Sequence, residues 1–271
     1  LPISDNCPGF GSVAKYIAIS TYEASLDVAS MANSSTKVFL LEVMGRHAGW
    51  LAASAGIIKN NITMPPHIIL LPEVTFNQKR FLAKVRETVI SNGYCVIVAS
   101  EGIKDSKDQF IASSTKKDSF GHAHLGGVAP KLSDIITNKL NYKVHWAVSD
   151  YLQRAARHVA SDVDVKQAYQ IGYKAISYAK SNTSGVMLTI NKKNTPSYKW
   201  DIGYTKLENV ANIEKTLPKS YIGKDGFSVT KKCKDYIKNL IEGENYPPYI
   251  NGIPDYAKLK HHLVKKKLKK F

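Results

Sequence analysis

The sequence has little cysteine, little arginine and no long apolar run. Its three cysteines, Cys7, Cys95 and Cys233, stand far apart, which excludes a disulfide framework or a zinc-ligand pattern and favours a reducing cytoplasm. No uninterrupted apolar stretch reaches the roughly 18 residues that a membrane span needs. Residues 1–5 have neither a basic segment nor an apolar core, so we expect no secretory signal. We therefore expect a cytoplasmic protein with no membrane partner.

The net charge of +16 comes from lysine rather than from arginine. The 271 residues include 38 basic and 22 acidic side chains, but only five arginines. Seven lysines and no acid lie between Lys258 and Phe271, which we interpret as a solvated basic tail. Because nucleic-acid readers rely on arginine for bidentate contacts with phosphate and guanine, we expect no nucleic-acid partner. A nucleic-acid-binding α/β protein that uses the tail remains an alternative.

Helical and strand-like segments alternate along a chain of ordinary globular composition, 44% hydrophobic and 22% charged. Their periodicity predicts helices over 10–31, 48–58, 77–92, 129–140 and 162–181. Short apolar runs predict strands over 36–43, 67–71, 94–99, 142–148 and 185–190. We expect a polar, mobile loop over 104–118 and irregular structure after residue 191. The predicted fold class is α/β, with parallel sheets that carry helices on both faces.

Polar residues follow the predicted strands, where ligands of parallel α/β sheets bind. The segments in question are 42–46, 72–73, 100–102 and 150–154. Two of them carry an arginine, and the other two carry a carboxylate, Glu73 and Glu101. Cations and carboxylates at one rim suit a ligand that is both anionic and hydroxylated, such as a sugar phosphate.

Arg46 and Glu73 are the first two candidates for such a site. Arg46 follows a buried strand and Gly45, so it could present its guanidinium to a phosphate, or it could pair with Glu42 at the sheet edge. Glu73 follows Pro72. It could accept hydrogen bonds from sugar hydroxyls, or it could be the acidic residue before the helix that starts near Asn77. Spacing alone leaves both pairs of alternatives open.

A third candidate is the segment that begins at Tyr151. Tyr151, Arg154 and His158 occupy positions i, i+3 and i+7, which a helix would place on one face. A phenol and a guanidinium on that face could hold one phosphate from two sides. The alternative is a helix in which Tyr151 simply stacks on Arg154.

Two further motifs are weak. Gly9, Gly11 and Ala14 match the spacing of a dinucleotide-binding loop, but no strand precedes them, so a glycine turn that leads into a helix is favoured. His122 and His124 lack a third ligand nearby, so a polar loop is favoured over a metal site.

Several blocks, taken in order, resemble 6-phosphofructokinases. DNCPGFGS (5–12), EVMGRHAGW (42–50) and LPE (71–73) carry the likeness. Two longer blocks, FGHAHLGGVAP (120–130) and HWAVSDYLQRAARH (145–158), resemble the bacterial pyrophosphate-dependent branch. The resemblance continues to IEGENYPP (241–248) and so covers most of the chain.

The resemblance implies phosphoryl transfer from pyrophosphate, or from ATP, to O1 of fructose 6-phosphate with Mg²⁺, in a homodimer or homotetramer with Rossmann-like layers. It assigns the following roles. The sugar-phosphate and transition-state loop would be Met44, Gly45 and Arg46, with Arg46 catalytic. Glu73 would bind sugar hydroxyls. Tyr151 and Arg154 would bind the 6-phosphate. Lys37 and His145 would reach into the site of a neighbouring subunit.

One departure from the family pattern concerns the donor side. The glycine-rich donor loop and the Thr-x-Asp-Asn-Asp segment, with the base and a magnesium-binding aspartate, do not occur in these residues. We expect them N-terminal to Leu1, so the 271 residues alone should be inactive. We predict a sugar-phosphate-binding domain over 1–154, a return to the donor-side domain plus an extension over 155–257, and the tail over 258–271. An ATP-dependent enzyme and a non-catalytic sugar-phosphate-binding subunit remain alternatives.

Overall fold

A computed structural model describes residues 3–58, 63–117, 123–125 and 127–267. The helices are α1 (Phe10–Met31), α2 (Trp50–Ser54), α3 (Gln78–Asn92), α4 (Val128–Leu140), α5 (Leu152–Ala155), α6 (Asp162–Lys180) and α7 (Lys231–Leu240). The strands are β1 (Val38–Val43), β2 (Ile68–Leu70), β3 (Cys95–Ser100), β4 (Ser113–Lys117), β5 (Ala123–Leu125), β6 (Val144–Val148), β7 (Val186–Lys192), β8 (Trp200–Lys206), β9 (Tyr249–Ile250) and β10 (Ile253–Pro254).

Four of these strands form one parallel sheet in the order β2-β3-β1-β6. Val38 of β1 pairs with Cys95 of β3 on one side and with Val144 of β6 on the other. The carboxyl ends of β1, β3 and β6 therefore open at the same edge, as the predicted α/β class requires.

Helices cover both faces of this sheet, which confirms the predicted layers. Along β1, Leu40 joins one buried cluster and Leu41 joins the other, because successive side chains of a strand point to opposite faces. The first cluster is completed by residues of α3 and α4, among them Phe81, Val85, Leu132 and Ile136. The second is completed by residues of α1, α2 and α7, among them Ile17, Ala52 and Ile237.

Helix starts follow the local signals of the sequence. The Asn77 side chain accepts from Arg80 N at 3.0 Å and begins α3, and Gly93, with φ +84°, ends it. Gly9, with φ +98°, begins α1, so the glycine pair there is a turn that leads into a helix, as predicted.

The start of α1 is also capped from a distant part of the chain. The buried carboxylate of Asp164 in α6 accepts hydrogen bonds from Gly9 N at 2.8 Å and from Ser12 N at 2.9 Å.

Two predictions about strands are wrong. Residues 113–117, which we expected in a loop, form β4 and pair antiparallel with β5. Residues 185–190 were expected in the parallel sheet, but residues 186–190 belong to β7, which pairs antiparallel with β8 in a separate hairpin. The partner strands, β5 and β8, lie in segments that were expected to be a loop and irregular structure. The pairing of β4 and β7 with them could therefore not be anticipated. Residues 118–122 and 126, which include His122, lie outside the described residues, so the metal interpretation there stays untested.

The basic tail forms no helix or strand between residues 258 and 267, and Leu259, Leu263 and Val264 are exposed there. None of the helices in the described part of the chain has the length and apolar character to cross a membrane.

Glu42 links the sheet to the start of α4. Its buried carboxylate accepts from Gly127 N at 3.1 Å and from Ala129 N at 2.8 Å. These are orphan donors of the first helical turn, and a negative charge is favourable there. Burial nevertheless raises the pKa of Glu42, against the lowering effect of the donors from Ala129 and Gly127.

Replacing Glu42 by alanine should lower the free energy of unfolding by about 2–3 kcal/mol, because two N–H groups at the start of α4 lose their acceptor. Urea denaturation checks this, with exposed Glu87 changed to alanine as the control and an expected effect within about 0.5 kcal/mol. Between the ordinary carboxyl pKa and the raised one, folded Glu42 binds more protons than the unfolded chain, so its contribution falls as pH rises. The stability of the wild type relative to Glu42→Gln should therefore decline over that window; parallel curves would contradict the assignment.

Candidate functional site

The loop that follows β1 carries Met44, Gly45 and Arg46 at the carboxyl edge of the sheet. Gly45 has φ +150°, and a Cβ atom there would lie 2.4 Å from Ser100 Oγ and 2.8 Å from Ala48 O. Any side chain would collide with these neighbours, so glycine is required for the loop to keep this course.

The turn after β3 packs directly against that loop. Ser100 Oγ donates to Gly45 O at 2.6 Å, and Gly45 N donates to Glu101 Oε1 at 3.1 Å. A Cβ atom on Gly102 would lie 1.9 Å from Arg46 O, so the two backbones meet with no room for a side chain. These contacts fix the backbone that carries Arg46 and place the Glu101 carboxylate beside it.

Gln153 connects this loop to the segment after β6. It is 1% exposed, its Oε1 accepts from Met44 N at 3.4 Å, and its Nε2 donates to Asp150 O at 2.9 Å. Residues 44–46 and 150–154 are thereby held together, although more than a hundred residues separate them.

Tyr151 and Arg154 are in contact on the exposed side of this segment. The Arg154 guanidinium carbon lies 5.1 Å from the centroid of the Tyr151 ring, which is a cation–π contact. Tyr151 is 65% exposed, so both side chains are available to a ligand. The predicted proximity is confirmed, whereas phosphate binding by this pair stays a prediction.

The predicted helix through His158 is wrong. Helix α5 ends at Ala155, Ala156 has φ −75° and ψ 62°, and Arg157–Val159 form a separate 3-10 turn. The Arg157 guanidinium donates to the Asn245 side chain at 2.7 Å and to the Asn245 carbonyl, which holds the turn against the C-terminal region. His158 therefore does not share a helical face with Tyr151 and Arg154.

Glu73 is engaged by backbone N–H groups. Its Oε1 accepts from Gly49 N at 2.9 Å and from Leu217 N at 2.7 Å. The cap of α3 is Asn77, so the interpretation of Glu73 as the acid at that helix start is wrong. A carboxylate has about four lone-pair directions, so Glu73 keeps acceptor capacity and its contact with sugar hydroxyls stays a prediction.

Lys37 and His145 lie toward the amino ends of the strands, away from Arg46. Lys37 precedes β1, and its Nζ donates to Ala32 O after the end of α1. His145 is exposed on β6, the edge strand, and pairs with Phe39. Strand β1 has six residues, so its amino end and its carboxyl end lie about 16 Å apart. The role that the resemblance implies for these two residues, in the site of a second copy, stays a prediction.

Sequence reasoning did not select Ser100, Glu101 and Gln153 as site residues. Ser100 ends β3 and Glu101 directly follows it, so their place at the carboxyl edge of a predicted strand was an available signal. Gln153 is polar within a segment that carries two other candidates, but no local pattern indicates that its amide bonds Met44.

A cleft of about 510 Å³ opens beside Arg46. Its walls come from residues 5–7, Phe10, residues 45–48, Trp50, Leu51, residues 213–215 and Tyr236. His47 Nδ1 lies 2.7 Å from Glu214 Oε1, and the Asp5 carboxylate accepts from Tyr198 OH at 3.0 Å. Within the described ranges, no three His, Cys, Asp or Glu residues cluster as metal ligands.

Comparison with known proteins gives consistent matches. The sequence profile of the family described as Phosphofructokinase matches residues 1–179. A pyrophosphate–fructose 6-phosphate 1-phosphotransferase from Methylococcus capsulatus is 53% identical over 268 residues, which are 99% of this chain and 64% of that protein. The crystal structure of a pyrophosphate-dependent phosphofructokinase from Marinobacter aquaeolei superposes with a TM-score of 0.89 at 49% identity, over 99% of this chain and 64% of that one. An ATP-dependent 6-phosphofructokinase from Clostridium perfringens is 32% identical over 179 residues, 65% of this chain and 47% of that protein.

Proposed function

Because the chain belongs to the phosphofructokinase family, we propose that it carries the fructose 6-phosphate-binding part of a pyrophosphate-dependent 6-phosphofructokinase. The observation that carries the proposal is the interlocked edge of the sheet, where the Arg46 loop is fixed by Ser100 and Glu101 and tied through Gln153 to the Tyr151–Arg154 pair. The chain spans only 64% of the length of its Methylococcus capsulatus relative, so the activity of a whole enzyme is part of the proposal.

The reaction would transfer one phosphoryl group to the sugar. A bond forms between O1 of fructose 6-phosphate and a phosphorus of pyrophosphate, the bridging P–O bond breaks, O1 loses its proton and inorganic phosphate leaves. Catalysis of such a transfer consists mainly of positioning and electrostatic stabilisation.

Each candidate side chain has one task in this scheme. Arg154, steadied by Tyr151, holds the 6-phosphate, and Arg46 stabilises the negative charge that develops on the transferring group. Glu73 accepts from sugar hydroxyls. Lys37 and His145 act in the site of a second copy of the chain, in a dimer or tetramer.

The division of labour along the chain is part of the same proposal. Residues 1–154 would bind the sugar phosphate, residues 155–257 would return to the donor-side domain, and residues 258–271 would be a solvated tail. The base, the donor loop and the ligands of Mg²⁺ would lie in a part of the enzyme that the relatives contain and this chain does not span. The whole enzyme would be cytoplasmic. The higher identity to pyrophosphate-dependent relatives, 53% against 32%, favours pyrophosphate over ATP as the donor.

A coupled assay of fructose 1,6-bisphosphate formation tests the proposal. The full-length protein that contains these residues should turn over with pyrophosphate, and at least about tenfold more slowly with ATP at equal concentration, because donor choice is a difference in transition-state binding. The 271 residues alone should give no turnover with either donor at saturating Mg²⁺. Full-length protein that uses ATP better than pyrophosphate, or neither, would overturn the proposed function.

A further inference from the structure

Residues 213–217, here called the strap, close one side of the cleft beside Arg46. They lie beyond residue 179, where the match to the family profile ends. Three contacts hold the strap to the sheet edge: Glu214 Oε1 with His47 Nδ1 at 2.7 Å, Lys215 O with Trp50 Nε1 at 2.7 Å, and Leu217 N with Glu73 Oε1 at 2.7 Å. The backbone of the strap is thus held at Lys215 and at Leu217.

Lys215 lines the cleft, and in the described part of the chain its ammonium group makes one hydrogen bond. Its Nζ lies 6.0 Å from the centroid of the Trp50 ring and donates to Ser4 O at 3.3 Å. An ammonium group has three donors, so one long bond leaves donors available to a ligand.

The other polar groups of the cleft indicate the class of ligand. Arg46, Lys215, Asp5 and Glu214 all line it; the Asp5 carboxylate accepts from Tyr198 OH, and the Glu214 carboxylate contacts His47 Nδ1. Asn6 is 6% exposed and lines the same cleft, and among the described residues its Oδ1 has no hydrogen-bond partner. A buried acceptor without a donor is costly unless a ligand supplies one. Two cations and a buried acceptor that has no partner among the described residues line one cleft, and this combination fits a phosphate-bearing ligand together with a hydroxyl group.

We propose that Lys215 is a substrate-binding residue that, together with Arg46, holds a phosphate group of inorganic pyrophosphate, while Asn6 Oδ1 accepts from a hydroxyl of the sugar. The proposal rests on the proposed function and deepens it, since it assigns part of the donor site to a segment outside the family profile match. A cleft of about 510 Å³ is of the size that takes a ligand as small as pyrophosphate with part of a sugar.

Fluorescence of Trp50 provides a readout that does not depend on turnover. The chain has three tryptophans, so Trp146→Phe and Trp200→Phe leave Trp50, which touches Lys215, as the only one in these residues. Titration of this variant of the full-length protein with inorganic pyrophosphate should change the emission and give a dissociation constant. Adding Lys215→Met to this variant should weaken pyrophosphate binding by at least about tenfold, because a charged hydrogen bond is lost.

Two matched variants separate the effect of the Lys215 charge on binding from an effect of the substitution on folding. Lys215→Arg keeps the charge and should bind pyrophosphate within about threefold of the parent, and exposed Lys219→Met should bind like the parent. The backbone carbonyl of Lys215 makes the contact with Trp50, so the methionine variant should fold normally, as its thermal unfolding will show.

The outcomes distinguish this inference from the proposed function. Pyrophosphate turnover with unchanged pyrophosphate affinity in Lys215→Met would overturn the inference and leave the function standing. Lys215-dependent binding of pyrophosphate without turnover would support the inference and overturn the function. If pyrophosphate does not bind to the parent, both are wrong.

Discussion

Replacing Arg46 by alanine in the full-length protein should lower kcat by about 100- to 1,000-fold, because a preorganised group that stabilises developing charge is lost. The KM for fructose 6-phosphate should change by less than about threefold, since an interaction made mainly in the transition state lowers kcat and kcat/KM together. The expectation rests on the fixed backbone of the loop, in which Gly45 bonds Ser100 and Glu101 and Gly102 abuts Arg46 O.

Two further variants make the Arg46 result specific. Arg46→Lys keeps the charge but loses the planar two-pronged geometry, so its kcat should fall between those of the wild type and the alanine variant. Arg86→Ala, an exposed position on α3, should leave both constants unchanged. Steady-state kinetics with pyrophosphate supply the measurement. If Arg46→Ala raises KM alone, the residue belongs to ground-state binding and the role in charge stabilisation is wrong.

Replacing Arg154 by alanine should raise the KM for fructose 6-phosphate by tenfold or more, because truncating one partner of a guanidinium–phosphate pair costs about 2–5 kcal/mol. The kcat at saturating sugar phosphate should fall much less. Arg154 is exposed and stacked on Tyr151, and no carboxylate within the described ranges forms a salt bridge with it. Its guanidinium is therefore available for an anionic ligand.

The Tyr151 ring offers a graded control for the Arg154 prediction. Tyr151→Phe keeps the aromatic face under the guanidinium and should raise KM by less than about threefold, whereas Tyr151→Ala removes the cation–π support and should have an effect nearer that of Arg154→Ala. Arg86→Ala again serves as the unrelated arginine. An unchanged KM in Arg154→Ala would remove this residue from the phosphate site.

Local patterns in the sequence determined the main elements and the position of the site. Asn77 and Gly93 bound α3 because a side-chain acceptor and a left-handed residue satisfy helix ends locally. The apolar runs that form β1, β3 and β6 are buried strands, so the polar residues after them had to meet at one edge. Arg46 and Arg154 could be selected by this rule alone, before any neighbour was known.

Tertiary structure decided which partners these residues have. Glu73 bonds Leu217, 144 residues away, Gln153 bonds Met44, 109 residues away, and β7 pairs with β8 rather than with the parallel sheet. Helix α5 ends at Ala155, and Arg157 beyond it bonds Asn245 in the C-terminal region. Periodicity records which face of an element is buried, but it does not record which donor will lie opposite a given acceptor once distant elements pack. For this reason the edge that carries Arg46 followed from the sequence, whereas the strap and Lys215 beside it followed only from the fold.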